Sequence, residues 1–231
     1  MQLKTIAKIY TDFPEKFGLP RQSGIAPSLR GTIIFEEEYR NADSLRGIDG
    51  YSHIWIIWGF SEGFASATEK NAKWYPTVRP PRLGGNKRMG VFATRSPNRP
   101  NPIALSSVKL ENIEKTEEYG TVIHVSGIDM MNGTPIYDIK PYLPHIDSIP
   151  EAVGGFATDV NGEKLSVDFP KEFYDKLSKD LVEPLTEILR EDPRPSYQND
   201  ENRVYTFGFG GYQISFRVTG DILTIVDIAD E

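Results

Sequence analysis

The sequence predicts a mainly β protein in two parts: a strand-rich domain over residues 1–150 and a small α+β domain over 151–231. Three observations lead there. Strand-like runs recur through the first 150 residues with almost no helix-period segment between them, which favours a barrel or a sandwich over a parallel α/β sheet. After Ile149-Pro150 the character changes, with a Gly154-Gly155 turn followed by a long helical pattern. Neither a GxGxxG turn nor a GxxxxGK[ST] loop is present, so the dinucleotide-binding and phosphate-loop folds fall away.

The elements follow in order. Residues 3–10, LKTIAKIY, alternate well enough for a first strand, and 13–27 form a loop punctuated by Pro and Gly. Residues 29–35 give a second strand, and 41–45 a short helix with Asn41 or Asp43 as its cap. The run HIWIIWGF at 53–60 is too short, too aromatic and too β-branched for a helix. It reads as a strand buried on both faces at the centre of the sheet. Further strands are predicted at 88–93, 106–113, 121–127 and 135–139, each bounded by Gly, Pro or Asn. In 171–192, Phe173, Leu177, Leu181, Leu185, Ile188 and Leu189 share one helical face, with a kink expected at Pro184. Residues 203–209 and 212–218 make a hairpin about Gly210-Gly211, and 222–228 a third strand.

Composition narrows the chemistry. With 39% hydrophobic and 26% charged residues in 231, the chain is of ordinary globular type. The absence of Cys removes disulfides, thiolate metal sites and a cysteine nucleophile. His53, His124 and His145 lack ligand spacing, so no metal is expected, and no GxSxG elbow points to acyl transfer. Without a signal-like start or a run near 18 apolar residues, a cytoplasmic protein with no membrane partner is expected.

Charge is the sharper signal. The formal net charge is -7, yet residues 70–109 hold nine of the 26 basic side chains and none of the 33 acidic ones. Within them, 77–107 carries six Arg or Lys with five Pro and three Gly. Guanidinium groups on a backbone stiffened by proline suit fixed anions such as phosphates. An isolated RSPNRPNP would be a solvated surface turn, but with RPPRLGGNKR beside it a binding face is the better reading. The other loops dense in polar residues are GLPRQSG at 18–24, SGIDMMNGTP at 126–135 and YDIKPYLPH at 137–145.

The segments DGYSHIWIIWGF, PTVRPPRLGGNKRMGVFATRSPNRPNPIALS and GTPIYDIKPYLPHID resemble the TsaA-like (YaeB) family, whose bacterial members are the TrmO-type tRNA N6-methyltransferases. The resemblance implies a β-barrel methyltransferase, unlike the Rossmann class, that uses S-adenosyl-L-methionine. Its product would be N6-methylated threonylcarbamoyladenosine next to the anticodon of a threonine tRNA, and the enzyme would be a homodimer. By motif position the cofactor set falls on Pro20, Arg21, Gln22, Arg95, Leu105, Ser126, Gly127, Ile128 and Asp129. Ser61 and Glu62 stand where many members carry a His-containing pair.

Within that picture, side-chain type and loop position assign the catalytic roles. Asp138 is expected as acceptor near N6, Tyr142 as an orienting hydroxyl, and Lys140 as partner of the threonylcarbamoyl carboxylate or a phosphate. Arg79, Arg82, Lys87, Arg88 and Arg99 are assigned to the anticodon-loop backbone. Two competing readings use the same residues. One is a noncatalytic RNA-binding barrel that takes no cofactor, the other a methyltransferase of this fold with a different substrate.

Overall fold

The computed structural model describes residues 2–60, 75–80, 83, 87–157, 164–194 and 200–231. The first strands are β1 (Ala7–Thr11), β2 (Arg30–Phe35), β3 (His53–Gly59), β4 (Thr77–Val78) and β5 (Met89–Gly90). Then come β6 (Ile103–Thr116), β7 (Gly120–Ser126) and β8 (Thr134–Pro141). Six of them close into an antiparallel barrel in the order β1-β2-β7-β6-β3-β8, while β4 and β5 pair as a separate hairpin. Closure leaves no unpaired edge. Ile9, Ile33, Ile54, Ile56, Ile123 and Ile136 fill the interior and are fully buried.

Three sequence expectations in this half need correction. HIWIIWGF does sit centrally, between β6 and β8, but it alternates: Ile54, Ile56 and Trp58 are buried, whereas Trp55 and Ile57 are only partly covered. A closed barrel has one dry face, so the apolar outer residues mark a half-covered surface. The strand expected at 88–93 shrinks to Met89–Gly90, because Val91–Ala93 turn into a 3-10 segment with Val91 alone buried. The short helix at 41–45 is a 3-10 turn at Ala42–Leu45, capped by the Asn41 side chain accepting from the Asp43 N–H.

After α1 (Pro144–Asp147), the C-terminal half holds β9 (Ser166–Asp168), α2 (Lys171–Tyr174), α3 (Lys179–Arg190), β10 (Tyr205–Phe209), β11 (Tyr212–Thr219) and β12 (Ile222–Asp230). The sheet order is β10-β11-β12-β9, with β9 parallel to β12. The predicted single helix is two. Its break falls at 175–178, and Pro184 lies inside α3 with Leu181, Leu185, Ile188 and Leu189 buried around it. The β10–β11 hairpin turns through Gly210 and Gly211, both at positive φ, as a two-residue loop requires.

One buried cluster runs through both halves. Its bridge is the loop between β1 and β2, which leaves the barrel and lies on the C-terminal sheet. The Phe13 ring meets Phe209 at 5.1 Å, and Phe17 meets Phe207 edge-on at 6.1 Å. Gly18, at φ +89°, passes so close that a Cβ would come within 2.5 Å of the Phe207 ring.

Candidate functional site

At one end of the barrel, three loops and a strand converge. Gly24 donates its N–H to the Gly127 carbonyl at 2.8 Å, and Gly127 donates to Leu29 at 2.8 Å. Gly127 sits at φ +71° and Gly24 at φ +78°, a left-handed backbone that favours glycine at both positions. The Arg95 guanidinium donates to the Gln22 side-chain carbonyl. Asp129 accepts from the Ser106 hydroxyl at 2.7 Å and from the Ser23 backbone N–H.

Behind Asp129 stands a buried relay. Trp58 Nε1 donates to Ser106 Oγ at 2.9 Å. An indole N–H can only donate, so the Ser106 oxygen accepts from Trp58 and its own proton is committed to Asp129. Burial pushes the Asp129 carboxyl up to about 6, opposed by the hydrogen bonds from Ser106, Ser23 and its own N–H and by the Arg95 charge. A carboxylate kept as an acceptor among these converging loops is suited to hold hydroxyl or ammonium donors of a ligand.

The structure thus brings Gln22, Arg95, Gly127 and Asp129 together, with Pro20 and Arg21 on the same loop. Pro20 is buried, and Arg21 donates to the Arg194 carbonyl at 3.3 Å. Ser126 is buried with its hydroxyl on Glu111 at 2.6 Å, and Ile128 belongs to the core, so both can offer a ligand chiefly backbone. Leu105 departs from the group. It is 53% exposed on the outer face, opposite in direction to its neighbour Ser106. Ser61 and Glu62 lie outside the described residues.

Asp138, Lys140 and Tyr142 gather on that outer face. Register sets Leu105, Ile57 and Asp138 in one cross-strand row and Ser107, Trp55 and Lys140 in the next. Leu105 and Asp138 are two strand spacings apart, about 10 Å. A bulge between Ile57 and Trp58 admits Tyr137 as an extra residue and shifts the rows. Lys140 pairs with Asp138 at 2.9 Å, with side chains 61% and 46% exposed. Asp138 also accepts from the Ile139 N–H at 3.0 Å. The Tyr142 ring lies 5.4 Å from that of Trp55, whose Nε1 donates to Asp147 at 2.9 Å. That bond and the Leu143 N–H hold the Asp147 carboxyl below its ordinary range, the Leu143 bond contributing most.

The basic strip divides. Val78 pairs with Met89, so Arg79 and Arg88 extend the β4–β5 hairpin at one end, with exposed Lys87 beside them. Like charges at facing positions repel unless an anion lies between them. Arg88 reaches Thr77 Oγ1 at 3.3 Å. Arg99 is engaged differently: its guanidinium donates to the Val91 and Thr94 carbonyls at 3.4 and 3.3 Å, fastening its own loop. Arg82 lies outside the described residues.

His53 and His124 each have polar neighbours. His124 lies 3.1 Å from Thr32 and 2.8 Å from Glu114, and His53 lies 3.0 Å from Ser52. Among the described residues, no group of three or more His, Asp or Glu is arranged to hold a metal. Sequence reasoning missed Trp58, Ser106 and Ser23. Ser106 had a signal: it is a lone hydroxyl at an inward position of β6, beside Val108, where a polar atom needs a partner.

Known proteins resemble this chain in both halves. The profile for the tRNA-methyltransferase O N-terminal domain matches residues 8–148, and that for the TrmO C-terminal domain matches 162–231. A tRNA (adenine(37)-N6)-methyltransferase of Escherichia coli is 37% identical over 94% of this chain and 93% of its own length. One from Eikenella corrodens is 44% identical over 73% of this chain and 91% of its own. A crystal structure of TrmO from Pseudomonas aeruginosa superposes with a TM-score of 0.78 at 29% identity, covering 100% of this chain and 97% of that one. With both profiles matched in order on a closed barrel and its appended sheet, the chain belongs to the TrmO family of tRNA methyltransferases.

Proposed function

We propose that this protein is an S-adenosylmethionine-dependent methyltransferase acting on N6 of adenosine 37 of tRNA. Its acceptor is the threonylcarbamoyladenosine of a threonine tRNA. What supports this reading most is the convergence of Gln22, Arg95, Asp129 and the Gly24–Gly127 contact, in a chain whose relatives are named for methylating adenine 37. A Pseudomonas aeruginosa relative, 34% identical over 97% of this chain, carries a provisional designation as an S-adenosylmethionine-dependent methyltransferase.

The residues fit that cofactor. A half-buried carboxylate with one oxygen held as an acceptor suits the hydroxyl and ammonium donors of a nucleoside amino acid. Pro20, Arg21, Gln22, Ser61, Glu62, Arg95, Leu105, Ser126, Gly127, Ile128 and Asp129 are the proposed binding set. When bound, S-adenosylmethionine supplies an electrophilic methyl group on a sulfonium. The remaining work belongs to the protein.

N6 is a poor nucleophile because its lone pair is delocalised into the purine, so it must be held in line at about 3 to 3.5 Å. It must also lose a proton. Asp138 is the proposed acceptor, with Tyr142, braced by Trp55, orienting the base. Lys140 exchanges its exposed pairing with Asp138, worth at most about 1 kcal/mol, for the threonylcarbamoyl carboxylate or a phosphate. Leu105 links the two faces: Ser106 beside it reaches Asp129, and its own side chain heads the row that ends at Asp138.

Arg79, Arg82, Lys87, Arg88 and Arg99 form the proposed contact with the anticodon-loop backbone. The facing pair of Arg79 and Arg88 favours this, since an anion between them relieves their repulsion. A homodimer in the cytoplasm, built of domains at 1–150 and 151–231, completes the proposal. Phe92, 74% exposed, and Leu105 offer apolar surface for the second copy.

Mass spectrometry of nucleosides after incubation with labelled S-adenosylmethionine tests this directly. Threonine tRNA with and without threonylcarbamoyladenosine should be compared. Label only in the modified nucleoside is expected. Cofactor binding with no label in either tRNA would point to another substrate, and RNA binding indifferent to the cofactor would point to a noncatalytic barrel.

A further inference from the structure

We infer that the C-terminal unit is a positioning element for the cofactor loop, and that Glu187 is the residue through which it acts. The inference rests on the reading that residues 20–22 bind S-adenosylmethionine. Its basis is how the loop between β1 and β2 is held.

That loop stands on the C-terminal unit at both ends. At its start, the Asp12 carbonyl accepts from Gly210 at 2.8 Å and the Glu15 carboxylate from Gly208 at 3.1 Å, with Phe13 and Phe17 pressed on the sheet. At its end, one oxygen of Glu187 on α3 accepts both the backbone N–H of Ser28, at 2.9 Å, and its hydroxyl, at 2.6 Å. Between these feet, Gln22, Ser23 and Gly24 turn back to Arg95, Asp129 and Gly127. The crown of the loop is therefore the proposed cofactor site, and its footing is the other half of the molecule.

At the far foot, Glu187 makes its contact through a charge. A carboxylate accepting two bonds from one residue fixes backbone and side chain together. Freed of it, residues 25–29 would lose their charged tie to α3, and part of the ordering of 20–24 would be drawn from binding energy. The unit's own charge argues for such a role over a grip on RNA, since residues 151–231 carry 17 acidic against 8 basic side chains.

The test uses the full chain and S-adenosylhomocysteine as probe, titrated calorimetrically into wild type, Glu187→Ala, Glu187→Gln and Ser28→Ala, with Gln22→Ala as control. Steady-state rates against S-adenosylmethionine and against tRNA accompany it. Glu187→Ala is expected to weaken binding about tenfold, the scale of losing a charge-assisted hydrogen bond. KM for S-adenosylmethionine should rise while KM for tRNA holds. Glu187→Gln, which keeps an acceptor oxygen, should recover part of the loss. If Glu187→Ala melts too early to titrate, Ser28→Ala should still show a smaller weakening in the same direction. Binding unchanged within twofold, or a loss shared equally by both substrates, overturns the inference. A wild type that binds the probe and a Gln22→Ala that does not weaken it would instead overturn the cofactor reading.

Discussion

Ser106 gives its hydroxyl proton to Asp129 across 2.7 Å, and Trp58, donating to the same oxygen at 2.9 Å, prevents the hydroxyl from turning away. One Asp129 oxygen is therefore held as an acceptor whatever the pH. Any proton the carboxyl takes goes to its other oxygen.

That arrangement sets a pH dependence. The folded carboxyl sits at about 6 against an ordinary 3.8, so the folded state holds this proton more tightly than the unfolded chain. Ionised Asp129 therefore opposes folding by up to about 3 kcal/mol, fully above pH 6 and not at all below about 3.8. Asp129→Asn is expected to gain about 1 kcal/mol or more in urea unfolding at pH 7.5, with the gain shrinking as pH falls from 6 to 4. The same variant should lose at least about tenfold in S-adenosylhomocysteine affinity, exchanging function for stability.

Ser106→Ala should move the same group in a known direction. It removes the largest of the influences that lower the Asp129 carboxyl, so the value rises further. Binding of S-adenosylhomocysteine, followed by calorimetry from pH 5 to 8, should then fail at a higher pH than in wild type. Trp58→Phe keeps the ring and frees the hydroxyl, and a smaller shift of the same sign is expected.

Much of this fold was legible because alternation and turn chemistry are local. The strands of the barrel, the Gly210-Gly211 hairpin and the apolar face of α3 all follow from residues near in sequence. Barrel closure came from the motif resemblance and not from the strand pattern, which left a sandwich open, since closure depends on β1 meeting β8 across the chain. The three-residue β9 was missed because SVD has no pattern of its own and is fixed by pairing with β12. In the site, motif resemblance supplied Gln22, Arg95 and Asp129. The relay escaped because Trp58 and Ser106 are 48 residues apart and their pairing is a matter of register. Arg99 shows what charge alone does not reveal: a basic residue in a basic strip, it also donates its guanidinium to two carbonyls of its own loop.

Asp138→Asn keeps the size of the side chain and its bond to the Ile139 N–H but weakens it as a proton acceptor. Turnover on modified tRNA should fall by about two orders of magnitude, the lower scale of general-base contributions. Binding of S-adenosylhomocysteine should hold within twofold, because Asp138 is not in the proposed cofactor set. Near-normal turnover would remove the residue from the acceptor role.

Salt dependence separates the arginines. Replacing Arg79 or Arg88 by Ala should reduce the slope of log affinity for tRNA against log salt by about 0.7, one phosphate contact on single-stranded RNA. Arg99→Ala should change that slope less and lower thermal stability more, since its guanidinium already serves two carbonyls of its own loop.

The central claim is that the loop ends gathered around Asp129 hold the methyl donor, and a crystal structure with S-adenosylhomocysteine tests it most directly. The ligand is expected at that end of the barrel, within about 2.7 to 3.2 Å of the Asp129 carboxylate and of backbone in 20–24, and beside Arg95. A ligand lodged elsewhere on the protein, with Asp129 and those loops untouched, would contradict it.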